Sequence, residues 1–240
     1  KRRIICQGIL LIASYVFYGW WNMRLCLLLM GITWISFFTA VKKDEKHLRQ
    51  SRISLLIGVG TPLAVLGIFK YYDFFVTSFC DVFHLTPGVL NLILPVGISF
   101  YTFQALGYVI DVYRQNVKAE KNFIRYALFV SFFPQLVAGP IERSGHLLSQ
   151  IEEISRKPSW NFDKVTRGLL MMLWGYFMKL VIADRAAALV DTVFPIYYMF
   201  DGVALVLTMI MFGFQLYCDF ASYSAIAIGA SSVLGIELCP

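Results

Sequence analysis

A few polar side chains stand inside otherwise apolar stretches of this sequence, and they are the first candidates for chemistry. Asp219 is the most informative, because 17 uncharged residues flank it on each side. A carboxylate in such surroundings is expensive, so it is functional, paired, or a structural cap at the start of the last helix. Gln104 stands in another apolar stretch, where it either lines a cavity or bonds a neighbouring helix.

A second group of polar residues follows a break in the chain at Gly139-Pro140. Glu142 and Arg143 come directly after the break, and they either form an ion pair that braces the turn or bind an anionic group. His146 lies just beyond them. We expect it to be a solvated loop histidine rather than a catalytic base.

Most enzyme signatures are absent from the sequence. It contains no GxxxxGK[ST] phosphate loop and no GxGxxG fingerprint. Gly97-Ile98-Ser99 lacks the closing glycine of a nucleophile elbow, because Tyr101 stands in that position. His47 and His84 look like loop residues, no two histidines have metal-ligand spacing, and the five cysteines form no CxxC pair. We therefore expect no metal site and no bound cofactor.

The composition predicts a membrane protein. Of the 240 residues, 58% are hydrophobic and only 15% are charged, and the mean hydropathy is +0.67. A soluble domain of this length has too little interior for so much apolar surface, whereas transmembrane helices face lipid as well as each other. The net charge of +6 collects between apolar stretches. That pattern is typical of cytoplasmic loops, and it argues against a nucleic-acid-binding surface.

Apolar stretches of about 20 residues predict an all-α, polytopic transmembrane bundle. The first two form a predicted hairpin, 4–23 and 25–41, with only Arg24 between them. Residues 202–236 are too long for one ordinary span, so we predict two short helices that meet at Asp219. The remaining predicted spans are 53–69 with an extension to 79, about 90–110, 168–183, and an ambiguous stretch at 186–200.

The stretch 126–141 is uncharged but short, and it carries Pro134 and the Gly139-Pro140 pair. We interpret it as a broken or re-entrant helix, because irregular backbone at membrane depth needs protein or water around it. In 144–157, four apolar residues fall on one helical face, namely Leu147, Leu148, Ile151 and Ile154. This spacing predicts a short helix that lies on the membrane surface.

Basic residues predict the orientation of the chain in the membrane. Segments 1–3, 42–52, 114–125 and 143–167 hold 3, 5, 4 and 5 of the 21 lysines and arginines. The positive-inside bias places these four segments in the cytoplasm. The last two share a side only if 126–141 does not cross, which independently favours a re-entrant segment.

Six stretches of the sequence together resemble the membrane-bound O-acyltransferases. The resemblance is closest to the bacterial branch that contains the membrane subunit of alginate O-acetyltransferase. The stretches follow the family's order along nearly the whole chain, and the two longest are highly specific. They are 17–21 (FYGWW), 69–74 (FKYYDF), 94–104 (LPVGISFYTFQ), 110–114 (IDVYR), 132–141 (FFPQLVAGPI) and 217–220 (YCDF).

The resemblance implies a helical bundle around a central funnel or tunnel. It implies transfer of an acyl group, usually acetyl, from a cytoplasmic thioester donor such as acetyl-CoA or an acylated carrier. The acceptor would be an extracytoplasmic polysaccharide, reached through a partner protein at the bacterial inner membrane. The family's catalytic histidine lies in a Trp-His motif downstream of the part that 217–235 matches, which places it beyond Pro240. We therefore interpret 1–240 as one membrane domain, an internal fragment that is inactive alone and contains no catalytic residue.

Several residues are expected to shape or brace the tunnel. One departure from the family lies beside Tyr223, where the usual Tyr-Ser-Asp-Ile-Ala-Ile-Gly has Ala225 in place of the aspartate. The change leaves Asp219 as the acid of this region. The full set of candidates is Gln104, Pro134, Gln135, Gly139, Pro140, Glu142, Arg143, Asp219 and Tyr223.

Two other functions stay open at the level of sequence. A non-catalytic membrane partner of a separate transferase would also carry these motifs, since the catalytic motif lies outside the chain. A transporter would show an inverted repeat with paired broken helices, and the sequence shows one clear break.

Overall fold

The computed structural model describes residues 2–42, 48–83, 88, 90, 92–137, 139–154 and 161–239, and His47 and His84 lie outside them. Within these ranges the regular structure is entirely helical, which confirms the all-α prediction. They contain four helical runs long and apolar enough to cross a membrane. These runs are Met23–Val41, Arg52–Phe83, Phe162–Met199 and Gly202–Val233. The chain is a multi-pass membrane protein.

Internal contacts divide the chain into two compact units. The first comprises Lys1–Val137 and Ile141–Pro158, and the second comprises Ala138–Pro140 and Ser159–Pro240. Each unit has its own buried interior. The single membrane domain over 1–240 stays a prediction.

The first unit begins with the predicted hairpin, formed by α1 (Arg2–Trp21) and α2 (Met23–Val41). The two helices separate at Asn22, not at Arg24 as predicted. The side-chain oxygen of Asn22 accepts a hydrogen bond from the backbone N–H of Arg24 at 3.0 Å. Asparagine is a favoured N-cap residue, whereas arginine fits well inside the first turn, so the boundary falls on Asn22.

Helix α3 (Leu48–Phe83) runs for 36 residues and continues through Pro62. The next predicted span, at about 90–110, is wrong at its start, because α4 covers only Ile98–Tyr113. Gly97 has a left-handed backbone with φ of 74°, and the N–H of Ile98 bonds the carbonyl of Pro95 at 3.2 Å. Because of this turn, α4 begins only at Ile98.

The broken helix predicted over 126–141 is confirmed. Helix α5 (Phe123–Ser131) and helix α6 (Phe133–Leu136) are separated by Phe132, whose backbone is not helical, with φ −57° and ψ 110°. Pro134 lies in the first turn of α6, where a missing N–H removes no helical bond. The hydroxyl of Ser14 accepts the N–H of Phe133 at 3.2 Å, so the break is also held from α1.

Helix α7 (Ser144–Glu153) is the short helix that the sequence predicts after the break. Leu147 and Ile151 are fully buried inside the protein, and Gln7 of α1 donates to the carbonyl of Ile151 at 2.9 Å. The predicted continuation to 157 lies partly outside the described residues. Its position on the membrane surface stays a prediction.

Aromatic side chains fill the interior of the first unit. The rings of Tyr108 and Tyr126 lie 4.6 Å apart, and Phe129 stands 6.0 Å from each. The hydroxyl of Tyr126 donates to Ser36 Oγ at 2.7 Å, which ties α5 to α2. Tyr126 is completely buried, so its hydroxyl needs this partner.

The second unit consists of two long helical runs. The first joins α8 (Phe162–Phe177), a π-helical turn (Met178–Ala183), α9 (Asp184–Val193) and a 3-10 turn (Phe194–Met199). The second run, α10 (Gly202–Val233), is continuous over 32 residues. The prediction of two short helices that meet at Asp219 is therefore wrong, and Asp219 does not cap a helix. A helix longer than the hydrocarbon core crosses it by tilting, so its length needs no break.

Helices α8 and α10 pack antiparallel through small residues. Gly168 of α8 faces Gly229 of α10. Two turns further along α8, Gly175 faces Ser222 of α10. A methyl group on Gly229 would stand 2.9 Å from the backbone nitrogen of Met172. Small residues let the two backbones approach this closely, as in other membrane helix pairs.

Candidate functional site

Lys179 organises a charged cluster in the second unit. It lies in the π-helical turn, and its Nζ donates to Asp219 Oδ1 of α10 at 2.6 Å. The same Nζ stands 2.9 Å from Asp184 Oδ1 and 5.3 Å from the centre of the Tyr223 ring. Of the alternatives for Asp219, the structure therefore shows the paired one.

This cluster holds the two helical runs of the second unit together. The side chains of Lys179 and Asp219 are only 26% and 33% exposed, so their attraction is screened less than at an open surface. Both carboxylates bond the same ammonium, and the electron-rich face of Tyr223 adds a cation–π contact. The extra residue of a π-helical turn frequently marks a functional position. Lys179 was missed as a site residue, because Asp219, the partner on the other helical run, is 40 positions away.

Gln104 and Gln135 meet in the first unit. Gln104 lies on α4 and Gln135 on α6, and both are buried. Gln135 Nε2 donates to Gln104 Oε1 at 3.1 Å. The alternative in which Gln104 bonds a neighbouring element is thus observed. Its role in lining a cavity stays a prediction.

Glu142 pairs with His146 instead of Arg143. The Glu142 side chain is almost completely buried, and its Oε2 lies 2.9 Å from His146 Nδ1. Arg143 is exposed, and within the described residues it makes no ion pair with Glu142. Of the two alternatives for these residues, the structure therefore shows the paired one for Glu142, with His146 rather than Arg143 as its partner.

His146 occupies the first turn of α7 rather than a loop, and its side chain is 42% exposed. Gln150 Nε2 lies 3.2 Å from its other ring nitrogen. A carboxylate that bonds one imidazole nitrogen orients the ring. The spacing of four between Glu142 and His146 is the signal that sequence reasoning overlooked.

A further polar contact joins α7 to α4. Ser144 Oγ donates to Asp111 Oδ2 at 2.7 Å, and Asn116 Nδ2 donates to Asp111 Oδ1 at 3.3 Å. Asp111 belongs to the IDVYR stretch at 110–114, so this stretch helps to hold the helix that follows the break.

The remaining candidates have simpler surroundings. Pro134 and Pro140 are half-buried, Gly139 is buried, and Tyr223 is 37% exposed. The structure thus brings together four of the candidate residues in two places, Gln104 with Gln135, and Asp219 with Tyr223 around Lys179. The part of these residues in a tunnel stays a prediction.

Comparisons with known proteins agree on one family. The family model described as MBOAT, the membrane-bound O-acyltransferase family, matches residues 119–239. The chain is 39% identical over 235 residues to the probable alginate O-acetylase AlgI of Pseudomonas aeruginosa, an alignment that covers 95% of this chain and 44% of the relative. It is 33% identical over 254 residues to the peptidoglycan O-acetyltransferase of Helicobacter pylori, covering 95% and 48%.

A more distant similarity extends to a teichoic acid D-alanyltransferase of Streptococcus thermophilus. The two are 26% identical over 154 residues, which cover 62% of this chain and 37% of the relative. The chain spans about half the length of the curated relatives it matches.

Proposed function

Because the chain belongs to the membrane-bound O-acyltransferase family, we propose that the complete protein transfers an acyl group, acetyl in particular, to a polysaccharide outside the cytoplasm. The observation that carries this proposal is the similarity over 95% of the chain to relatives named for O-acetylation. Those names specify two different polymers, alginate and peptidoglycan. They support a polysaccharide acceptor without selecting one.

The proposed reaction is attack of an acceptor hydroxyl on a thioester. The oxygen bonds the acyl carbon, the carbon–sulfur bond breaks, and the thiol leaves with the proton that the hydroxyl gave up. A base must take that proton, and histidine suits this task near neutral pH. We assign the base to the Trp-His motif expected beyond Pro240. The donor is acetyl-CoA or an acylated carrier on the cytoplasmic side.

The residues of this chain would shape the passage in which the donor and the acceptor meet. Lys179, Asp219 and Tyr223 would fix the helical runs of the second unit, and Gln104 with Gln135 would brace the broken segment. The setting is the inner membrane of a bacterium, with an extracytoplasmic acetyltransferase or another component of a polysaccharide pathway as partner. The hydrogen bonds that join these groups support a positioning role.

Deletion of the gene in its own organism tests the proposed function. We expect the acetate released by mild alkali from the extracted surface polysaccharides to fall, and the complete gene to restore it. Replacing the histidine of the Trp-His motif with alanine should prevent restoration at equal membrane levels. Acetate that is unchanged in every polysaccharide fraction of the deletion strain would contradict the proposal.

One observation favours the alternative of a non-catalytic partner. Ala225 replaces the aspartate of the usual family pattern, and it is buried at 6% exposure. A protein that lost catalysis would tolerate such a change. The histidine variant distinguishes the two functions, because a non-catalytic partner carrying that variant would still restore acetylation. Expression of the 240-residue chain alone should restore none.

A further inference from the structure

Gln104 and Gln135 are the feature from which a further site is inferred. They are 4% and 6% exposed, so neither reaches solvent. A single hydrogen bond joins them, from Gln135 Nε2 to Gln104 Oε1 at 3.1 Å. Each side chain is a primary amide with one acceptor oxygen and one nitrogen that carries two hydrogens.

The pair leaves two polar atoms without a hydrogen bond. Gln104 Nε2 and Gln135 Oε1 are inaccessible, and among the described residues neither has a partner. Buried polar atoms are almost always bonded, and an unmade bond in an apolar interior is costly. Two such atoms in one bonded pair therefore point to a third group that completes the site.

The orientation of the amides does not affect this conclusion. Exchanging oxygen and nitrogen in both side chains would reverse the bond between Gln104 and Gln135. One donor nitrogen and one acceptor oxygen would still be left over. A single group that completes both amides therefore has to accept one hydrogen bond and donate one.

The site lies where the broken segment meets the start of α4. A methyl group on Gly97 would collide with the carbonyl oxygen of Leu136, so only glycine allows this approach. The approach places α6 beside the helix that carries Gln104. Phe133 on the same short helix is bonded by Ser14 of α1 at 3.2 Å. The amide pair is thus held in place from several elements.

We propose that Gln104 and Gln135 form a buried binding site for one hydroxyl group. A hydroxyl both donates and accepts, which matches the two open positions. A carboxylate only accepts and an ammonium only donates, so each would leave one amide atom unmet. The hydroxyl belongs either to an ordered water or to the polysaccharide acceptor, and the second source rests on the proposed function.

A high-resolution cryo-EM map of the complete protein in lipid nanodiscs, without acceptor, tests the site first. We expect density within hydrogen-bond distance of both Gln104 Nε2 and Gln135 Oε1. If the hydroxyl belongs to an ordered water, this density is already present in the map without acceptor. If the acceptor is the source, it appears on addition of oligomannuronate or peptidoglycan fragments. Absence of density in all these maps, with the two amides turned to bond each other twice, would overturn the proposal.

Paired variants of the complete protein provide a second readout. Gln104→Met leaves the Gln135 amide with no partner, whereas Gln104→Met with Gln135→Met removes both amides. The single variant should therefore have the lower thermal midpoint, since replacing both partners by apolar groups is far less costly. Equal midpoints for the wild type and the single variant would contradict a buried polar site.

Kinetics with the same acceptor fragments separate the two sources. An acceptor site predicts that KM for the acceptor rises by about tenfold or more in the double variant, because the hydroxyl loses both of its hydrogen bonds to the amides. Hydrolysis of the thioester by bulk water should change much less. A water site predicts an unchanged KM. If the wild-type protein transfers no acetyl group, the proposed function is wrong. The cryo-EM maps would still show whether Gln104 and Gln135 bind a hydroxyl group.

Discussion

Lys179 illustrates how one side chain can organise an intramembrane region. Its ammonium lies between Asp219 and Asp184 and against the ring of Tyr223. Removing the ammonium would leave the carboxylates of Asp184 and Asp219 without the cation that they share. Breaking such a pair from one side is more costly than never having formed it.

We predict that Lys179→Met in the complete protein lowers the free energy of unfolding by about 2 kcal/mol, the scale of hydrogen bonds to charged groups. Thermal unfolding of the detergent-solubilised protein measures the effect. Lys164 is the matched control, because its Nζ also lies 2.6 Å from a carboxylate, that of Glu237, but the two side chains are 49% and 64% exposed. Lys164→Met should change stability by less than about 1 kcal/mol. Equal effects of the two variants would remove the special role of Lys179.

Tyr126 provides a second test of a single buried group. Tyr126→Phe removes the hydroxyl that bonds Ser36 at 2.7 Å and keeps the ring in its aromatic cluster. The expected loss of stability is about 1 kcal/mol, seen as a lower thermal midpoint. Tyr217→Phe is the control, because Tyr217 is 71% exposed and loses no buried bond. A midpoint unchanged in Tyr126→Phe would mean that the Ser36 contact contributes nothing.

At the scale of elements, the second unit depends on close contact between α8 and α10. Gly168 and Gly175 on one helix face Gly229 and Ser222 on the other. The contact leaves no room for added side-chain atoms, and it fixes the register that places Lys179 opposite Asp219. Packing of small residues and formation of the ion pair therefore depend on each other.

Gly229→Ala tests this contact. The added methyl would meet Gly168 O at 2.5 Å and Met172 N at 2.9 Å, both backbone atoms. Overpacking of this kind costs about 1–3 kcal/mol. Gly213→Ala in the same helix is the control, since nothing lies within 4 Å of its added methyl. There alanine should raise stability by up to about 1 kcal/mol. Thermal midpoints that move in the same direction in both variants would contradict the close contact.

At the scale of the whole molecule, the distribution of charge predicts the topology. The four basic segments hold 17 of the 21 lysines and arginines. If they share the cytoplasmic side, the turn at Phe194–Met199 between the two long runs lies outside. The broken pair α5 and α6 is consistent with this arrangement, because a segment that does not cross keeps 114–125 and 143–167 together.

Cysteine accessibility in the complete protein checks this topology. In a background without other cysteines, Tyr198→Cys should react with a membrane-impermeant maleimide in intact cells, since Tyr198 is 72% exposed. Lys118→Cys and Lys164→Cys should react only after the membrane is permeabilised. Labelling of Lys118→Cys and Lys164→Cys on opposite sides would show that 126–141 crosses the membrane.

Local patterns in the sequence were sufficient for the fold class, the family and the break near Pro134. Apolar length, turn residues and short motifs are properties of neighbouring residues, so one sequence displays them directly. The same locality explains the errors. No residue near Asp219 indicates whether α10 ends there. A carboxylate inside an apolar stretch is compatible both with a helix cap and with an ion pair.

The sequence by itself therefore determined that this is a helical, multi-pass membrane protein of the acyltransferase family. Only the tertiary structure decided which polar groups meet. Lys179 and Asp219 are 40 positions apart, and Gln104 and Gln135 are 31 apart. Such pairs depend on the register in which separate helices pack, and that register is fixed by the fit of many small and aromatic side chains together.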